Sequence, residues 1–309
     1  MARILVLLFA SVVAIAGMNP AAQAKSLFTF HSNAWLNLHH FVRAAARGGP
    51  TPTALPDEES RRWAEGVEFY KSYATRDLLL DDGMADIKSA LRAAEGKPTL
   101  DGIAIDAALK ATLERLMPIY QRRWWPEHDR ANRAWIAAVQ PLLDRHGAAL
   151  GQALTRTYDS TWPSDPIPVD LSVTAGPNGA YTTGPPTHVT MSSTDRNLQG
   201  LASLEMLFHE SSHSAVSNLF LRVRQAAGEQ NVSVPPQLWH AVLFYTAGEL
   251  TRRELDAHAV AYAPYAGAGL YTNLCGAGCR EKVVEHWTPR LDGKRSVGES
   301  LAALVASFK

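Results

Sequence analysis

The run Phe208-His209-Glu210-Ser211-Ser212-His213 sets a glutamate beside one histidine and a second histidine four residues after the first. On an α-helix, residues four apart share a face one turn apart, so His209 and His213 can offer ring nitrogens to one metal ion. Glu210 is turned by about 100°. That rotation keeps its carboxylate out of the ligand set but beside the position a three-ligand site leaves open. Zinc lowers the pKa of a bound water to about 7, and an adjacent carboxylate can take the proton and pass it to a leaving amine. The pattern therefore predicts Zn2+ held by His209 and His213, with Glu210 as catalytic base. The competing reading is two solvated or internally hydrogen-bonded histidines on an ordinary helix. Against it stands the apolar stripe of Leu201, Leu204, Phe208, Ala215 and Leu219, which makes this an amphipathic helix in which such polar groups are costly to bury without purpose.

A third ligand is needed. Glu249 is the best candidate, because it lies on the next predicted helix and Gly248 beside it removes a side chain where two helices could approach closely. His240, Glu254 and His258 are the others. His240 and Glu249 differ by nine residues, about half a turn of helical rotation, so a straight helix gives only one of them to the ion. With Glu249 as ligand, His240 becomes a catalytic group on the substrate side or a core histidine. The competing role for Glu249 is an ion pair with Arg252 or Arg253. Tyr245, with Tyr262, Tyr265 and Tyr271, is a candidate to polarise a scissile carbonyl, and Glu205, one turn before His209, to support that ligand.

Residues 175–261 resemble the glutamate-zincin group of metallopeptidases, typified by thermolysin, in which H-E-x-x-H on one helix is completed by a glutamate from the following helix. The resemblance implies His209, His213 and Glu249 as zinc ligands and Glu210 as base, with a peptide or small amide as substrate. It also implies that Gly179, Ala180 and Tyr181 belong to an edge strand binding an extended substrate through its main chain. The spacing to the third ligand is longer than in thermolysin, and Arg253 stands where that group often has an aspartate. The whole chain, with His31-Ser-Asn-Ala-Trp-Leu-Asn-Leu-His39-His40 near the start and Trp287-Thr-Pro-Arg-Leu-Asp-Gly near the end, is similar to a family of exported bacterial proteins of unassigned function carrying the motif.

The elements that must position these residues follow from periodicity and breakers. From Phe28 to Trp162 the chain reads as helical, with segments at 30–47, from Asp57 onward, 84–94, 103–120 and 131–158, the last broken near Pro141 or Gly147. Three prolines after Trp162 end this region, and 169–175, 180–183 and 188–192 read as a small antiparallel sheet. One long helix over about 198–227 carries the motif, and another spans about 237–261. The expected fold is α+β, mainly α: a helical region over 25–165 packed on a zincin-like half over 166–309. His31, His39, His40 and His128, interleaved with aromatics, either line a cleft opposite the metal helix or pack with satisfied nitrogens.

Residues 1–24 read as a signal peptide, with Arg3, an uncharged apolar stretch from Ile4 to Gly17, and Ala22-Gln23-Ala24 as cleavage site. The mature chain is then expected in a periplasmic or secreted setting with no membrane attachment, where Cys275 and Cys279 can close a small disulfide loop. The 309 residues carry 30 basic and 30 acidic side chains, a balance that argues against a nucleic-acid partner. The expected activity is zinc-dependent hydrolysis of a peptide or amide bond. The alternatives are an exported binding protein whose metal is structural or absent, and a metal hydrolase of non-peptide amides or esters.

Overall fold

The computed structural model describes residues 26–49 and 55–309; the expected signal peptide lies outside them. A small sheet forms the centre, with strands β1 (Phe28–His31), β2 (Ile167–Ser172), β3 (Ala180–Thr183) and β4 (His188–Ser192) in the order β1-β2-β4-β3. The sheet is mixed. β1 and β4 both run parallel to β2, and only the hairpin β3–β4 is antiparallel. This corrects the expected antiparallel sheet of three strands and the expected helix from Phe28. Phe28-Thr-Phe-His alternates as a strand does, and the helix cannot start until Asn33, whose side-chain oxygen accepts from the backbone N–H of Trp35 and Leu36.

Helices α1 (Ala34–Ala46), α2 (Asp57–Ala74), α3 (Asp82–Arg92) and α4 (Ala107–Arg123) enclose one apolar core, built on Leu36, Trp63, Tyr70, Leu91 and Leu116. Helix α5 (Trp125–Tyr158) runs 34 residues without the expected break. Pro141 lies on its exposed face, where the carbonyl that loses its partner meets water, and Gly147 and Gly151 sit where Leu27 packs onto the helix. α5 and β1 join the sheet and the C-terminal helices in a second core around Phe28, Trp135, Leu171, Phe208, Leu243 and Trp287. The strand β3 divides the two cores, with Ala180 in the second and Tyr181 in the first.

The motif helix is interrupted. α6 (Leu201–Ser211) widens into a π-helical turn over Ser212–Val216, and α7 (Leu219–Gln230) starts only after Asn218, which adopts a left-handed conformation at φ 48°. The hydroxyls of Ser211 and Ser212 donate to the carbonyls of Leu207 and Phe208, and such back-bonding competes with the regular ladder. α8 (Leu238–Asp256) packs on α5, α6 and α7. α9 (Ala268–Cys275), α10 (Cys279–Leu291) and α11 (Val297–Ala306) complete the chain, with Cys275 and Cys279 joined across the short turn between α9 and α10.

Candidate metal centre

α6 and α8 meet in a register that assembles three histidines. Glu205, His209 and His213 succeed one another at four-residue steps along α6 and its π-helical turn, and Gly248, Phe244 and His240 do so in reverse along α8. Gly248 lies against Glu205, where a Cβ would stand 3.1 Å from the Glu205 Oε1 and 2.8 Å from Pro264. Phe244 stacks on the His209 ring at 3.9 Å between centroids, and His240 meets His213 at 4.9 Å. The helices are therefore antiparallel here. Eight residues along either helix lead from the Gly248–Glu205 contact to the histidines.

His209 Nε2 lies 3.2 Å from His213 Nε2 and 3.3 Å from His240 Nε2, and one donor atom from each ring falls within 4.8 Å of the other two. Burial holds all three imidazoles below their ordinary pKa, His209 well below, His213 at about 3 and His240 at about 4, and neighbouring rings reinforce it at His209 and His213. Three neutral rings thus bring nitrogens to one point, each able to present a lone pair there in one of its two tautomers, and one proton cannot satisfy both of the contacts His209 Nε2 makes. Around a tetrahedral ion with zinc–nitrogen bonds of 2.0–2.1 Å, adjacent nitrogens stand about 3.3–3.4 Å apart. The donor set and its spacing fit such an ion. Trp239 stacks on His240 at 5.0 Å and meets His213 edge-on at 5.5 Å, so aromatic side chains wall the centre.

The third member is His240, which corrects the expected ligand Glu249 and the substrate-side role given to His240. The same antiparallel register explains it: Glu249 follows Gly248, so it falls at the Glu205 end of the contact. There its carboxylate accepts from Arg252 at 2.8 and 2.9 Å and from Arg253 at 2.7 Å. Burial opposes ionisation, but the two guanidiniums hold its pKa below the ordinary value. Glu254 and His258 gather instead with His146 of α5.

Glu210 points from α6 to β3, where Thr182 Oγ1 donates to its Oε2 at 2.6 Å. Burial pushes its pKa up to about 7 against that hydrogen bond and the Lys88 charge. Gly179, Ala180 and Tyr181 lie at the sheet edge beside the motif helix, as the expected main-chain role requires. Gly179 accepts from Ser192 N at 2.7 Å, and Tyr181 turns away to share a hydrogen bond with His40 at 2.9 Å. Thr182, on the opposite face of the strand, is the residue that reaches the motif.

Tyr245 shares a hydrogen bond with Thr288 Oγ1 at 2.7 Å. Tyr262 donates to Glu205 Oε2 at 2.6 Å, and Tyr265 N donates to the same oxygen at 3.0 Å. Burial raises the Glu205 carboxyl to about 7 despite those two bonds. Tyr265 stacks on Phe244 at 6.1 Å, and its hydroxyl makes no hydrogen bond among the described residues. Phe244 also lines a cavity of about 310 Å³ with Glu249, Arg252, Tyr271 and Arg280.

Sequence reasoning missed a buried polar group behind β3. Lys88, 1% exposed, donates to the His188 carbonyl at 2.7 Å and lies 4.3 Å from the Tyr181 ring centre, while Asp170 bonds the His188 ring. Burial lowers the Lys88 pKa to about 7 although Asp170 and Glu210 pull it upward. Only the strand alternation placing Asp170 among apolar neighbours hinted at it. No family model, curated protein or solved structure matches the chain.

Proposed function

We propose that this protein is a zinc-dependent hydrolase of peptide or small amide bonds, exported through its N-terminal segment. The convergence of the His209, His213 and His240 nitrogens, with the buried Glu210 following His209 in the chain, is the observation that carries the reading. Bound zinc would supply a Lewis acid and lower the pKa of water to about 7. The protein's own part is proton handling and positioning. Thr182 occupies Oε2 of Glu210 and leaves Oε1 to take the proton and return it to the leaving amine. Tyr265 is the tyrosine whose uncommitted hydroxyl, packed on Phe244 beside His209, suits polarising the scissile carbonyl. The likeness to glutamate-zincins then extends to the H-E-x-x-H helix and the neighbouring edge strand, with a histidine in place of their third ligand.

The test is the mature chain reconstituted with zinc and assayed against a mixed peptide library and simple amides and esters. Glu210→Gln should keep its zinc and lose about 10²–10⁴-fold in turnover. Turnover unchanged in that variant, or no hydrolysis by the zinc-loaded wild type, rejects the proposal in favour of a binding protein. Turnover of esters alone redirects it to a different hydrolase.

A further inference from the structure

At the far end of α8 a second group of donors closes on one point. His146 Nδ1, from the buried face of α5, lies 3.0 Å from Glu254 Oε1, and His258 Nδ1 lies 3.4 Å from the same oxygen. One donor atom from each of the three falls within 4.8 Å of the others, and the two imidazoles stand edge to face at 4.9 Å. We propose that His146, Glu254 and His258 form a second divalent-cation site, distinct from the His209 centre.

Four observations support it. Donor separations of 3.0 and 3.4 Å bracket the distance of about 3.3 Å between neighbouring ligands of a tetrahedral ion with bonds near 2.0–2.2 Å. The side chains grade from His146 at 3% exposure through Glu254 at 17% to His258 at 37%, so the site has an anchored floor and a side open to water. Glu254 and His258 are four residues apart at the C-terminal end of α8, where unpaired carbonyls favour a cation; ligation through His258 Nδ1 would replace its hydrogen bond to Glu254 O at 2.9 Å. Finally, both imidazoles crowd onto Oε1, while Oε2 of Glu254 makes no hydrogen bond among the described residues. An oxygen of Glu254 is thus left free for an ion.

Two imidazoles and a carboxylate select a borderline first-row cation such as zinc over magnesium or calcium. Because His240 and Glu254 are 14 residues apart on α8, the two centres are separated by about 21 Å of helix rise. An ion here would pin α8, which carries His240, to α5 across 108 residues of chain. The inference does not depend on the hydrolase reading.

The experiment is a count of zinc bound by the full chain after chelator treatment, reloading with ZnCl₂ and desalting, paired with thermal unfolding. Wild type should carry two zinc ions and His258→Ala one. His213→Ala should also carry one, and its Tm should rise by several degrees on adding zinc, a rise that the further change His258→Ala removes. His258 is exposed enough for its loss to leave the packing intact. One ion in wild type that His258→Ala leaves in place, or zinc binding by His213→Ala that His258→Ala does not diminish, overturns the second site. Loss of hydrolysis without loss of the second ion bears only on the first centre.

Discussion

Two groups of histidines in this protein differ in what their ring nitrogens meet. In the helical region His39 shares a hydrogen bond with Tyr70 at 3.0 Å, His40 with Tyr181 at 2.9 Å and His128 with Tyr120 at 2.8 Å, while His31 pairs with Glu95 at 2.7 Å. Between α6 and α8, His209, His213 and His240 meet one another. Burial and basicity do not separate the groups, since burial lowers His39 and His213 alike to about 3. The partner does. A tyrosine hydroxyl can donate or accept and so completes a neutral imidazole. Three neutral imidazoles around one point can present a lone pair each to a cation. His31, His39, His40 and His128 each have one ring nitrogen bonded to a neighbouring side chain, while His31 Nε2 and His40 Nδ1 are buried without a partner.

The largest expected effect lies in the tyrosine-partnered group and concerns acid. Unfolded, His39 takes up a proton near pH 6.5; folded, burial and the Arg43 charge hold it off until about pH 3. Between those values the unfolded state binds more protons, so stability falls as pH drops through 6.5 toward 3, by on the order of 5 kcal/mol from this residue. Replacing the pair with His39→Phe and Tyr70→Phe removes both polar atoms together and should make the acid limb shallower by that share, the other buried histidines keeping theirs. Denaturant titrations from pH 7 to 3.5 read it directly. An unchanged slope would show that His39 is solvated in a way its burial does not allow.

Next in size is metal affinity. His240→Ala should weaken zinc binding at the first centre by at least about 100-fold, more than the loss of a supporting residue costs a metal site, while Glu249→Ala and His40→Phe should leave it within a few-fold. Competition with a chromophoric chelator gives the three values. If Glu249→Ala is the damaging change, the α6–α8 register described above is wrong, and with it the contrast between the two histidine groups.

The legible parts of this molecule were those with local causes. H-E-x-x-H marks the helix that carries His209 and opens into the turn carrying His213, and the half-turn between His240 and Glu249 agrees with their facing different surroundings. Choosing between them required the antiparallel register, which depends on Gly248 seating against Glu205, a contact between residues 43 apart in sequence. The matched spacing of Glu205, His209 and His213 with His240, Phe244 and Gly248 was present in the chain, but only the assumption that α6 and α8 pack antiparallel makes it readable. β1 was hidden because a four-residue strand next to a strong helix start resembles the helix's first turn. Lys88 was hidden because a single lysine in an amphipathic helix reads as solvent-facing until the sheet that buries it is in place.

The smallest expected effect isolates the partner itself. Tyr70→Phe keeps the ring and its packing in the first core but strips the hydroxyl from His39 Nδ1, leaving a nitrogen 3.0 Å from an empty position in a residue only 1% exposed. An unsatisfied buried polar atom costs about 1–3 kcal/mol, whereas removing both partners is close to neutral. Tyr70→Phe alone should therefore destabilise the protein more at pH 7 than the double change with His39→Phe, an inversion that additive side-chain losses cannot produce. Zinc content should be the same in both. Urea unfolding of the four members of this cycle measures the coupling, and a double variant less stable than the single one would mean that the hydroxyl matters through packing rather than through the imidazole it completes.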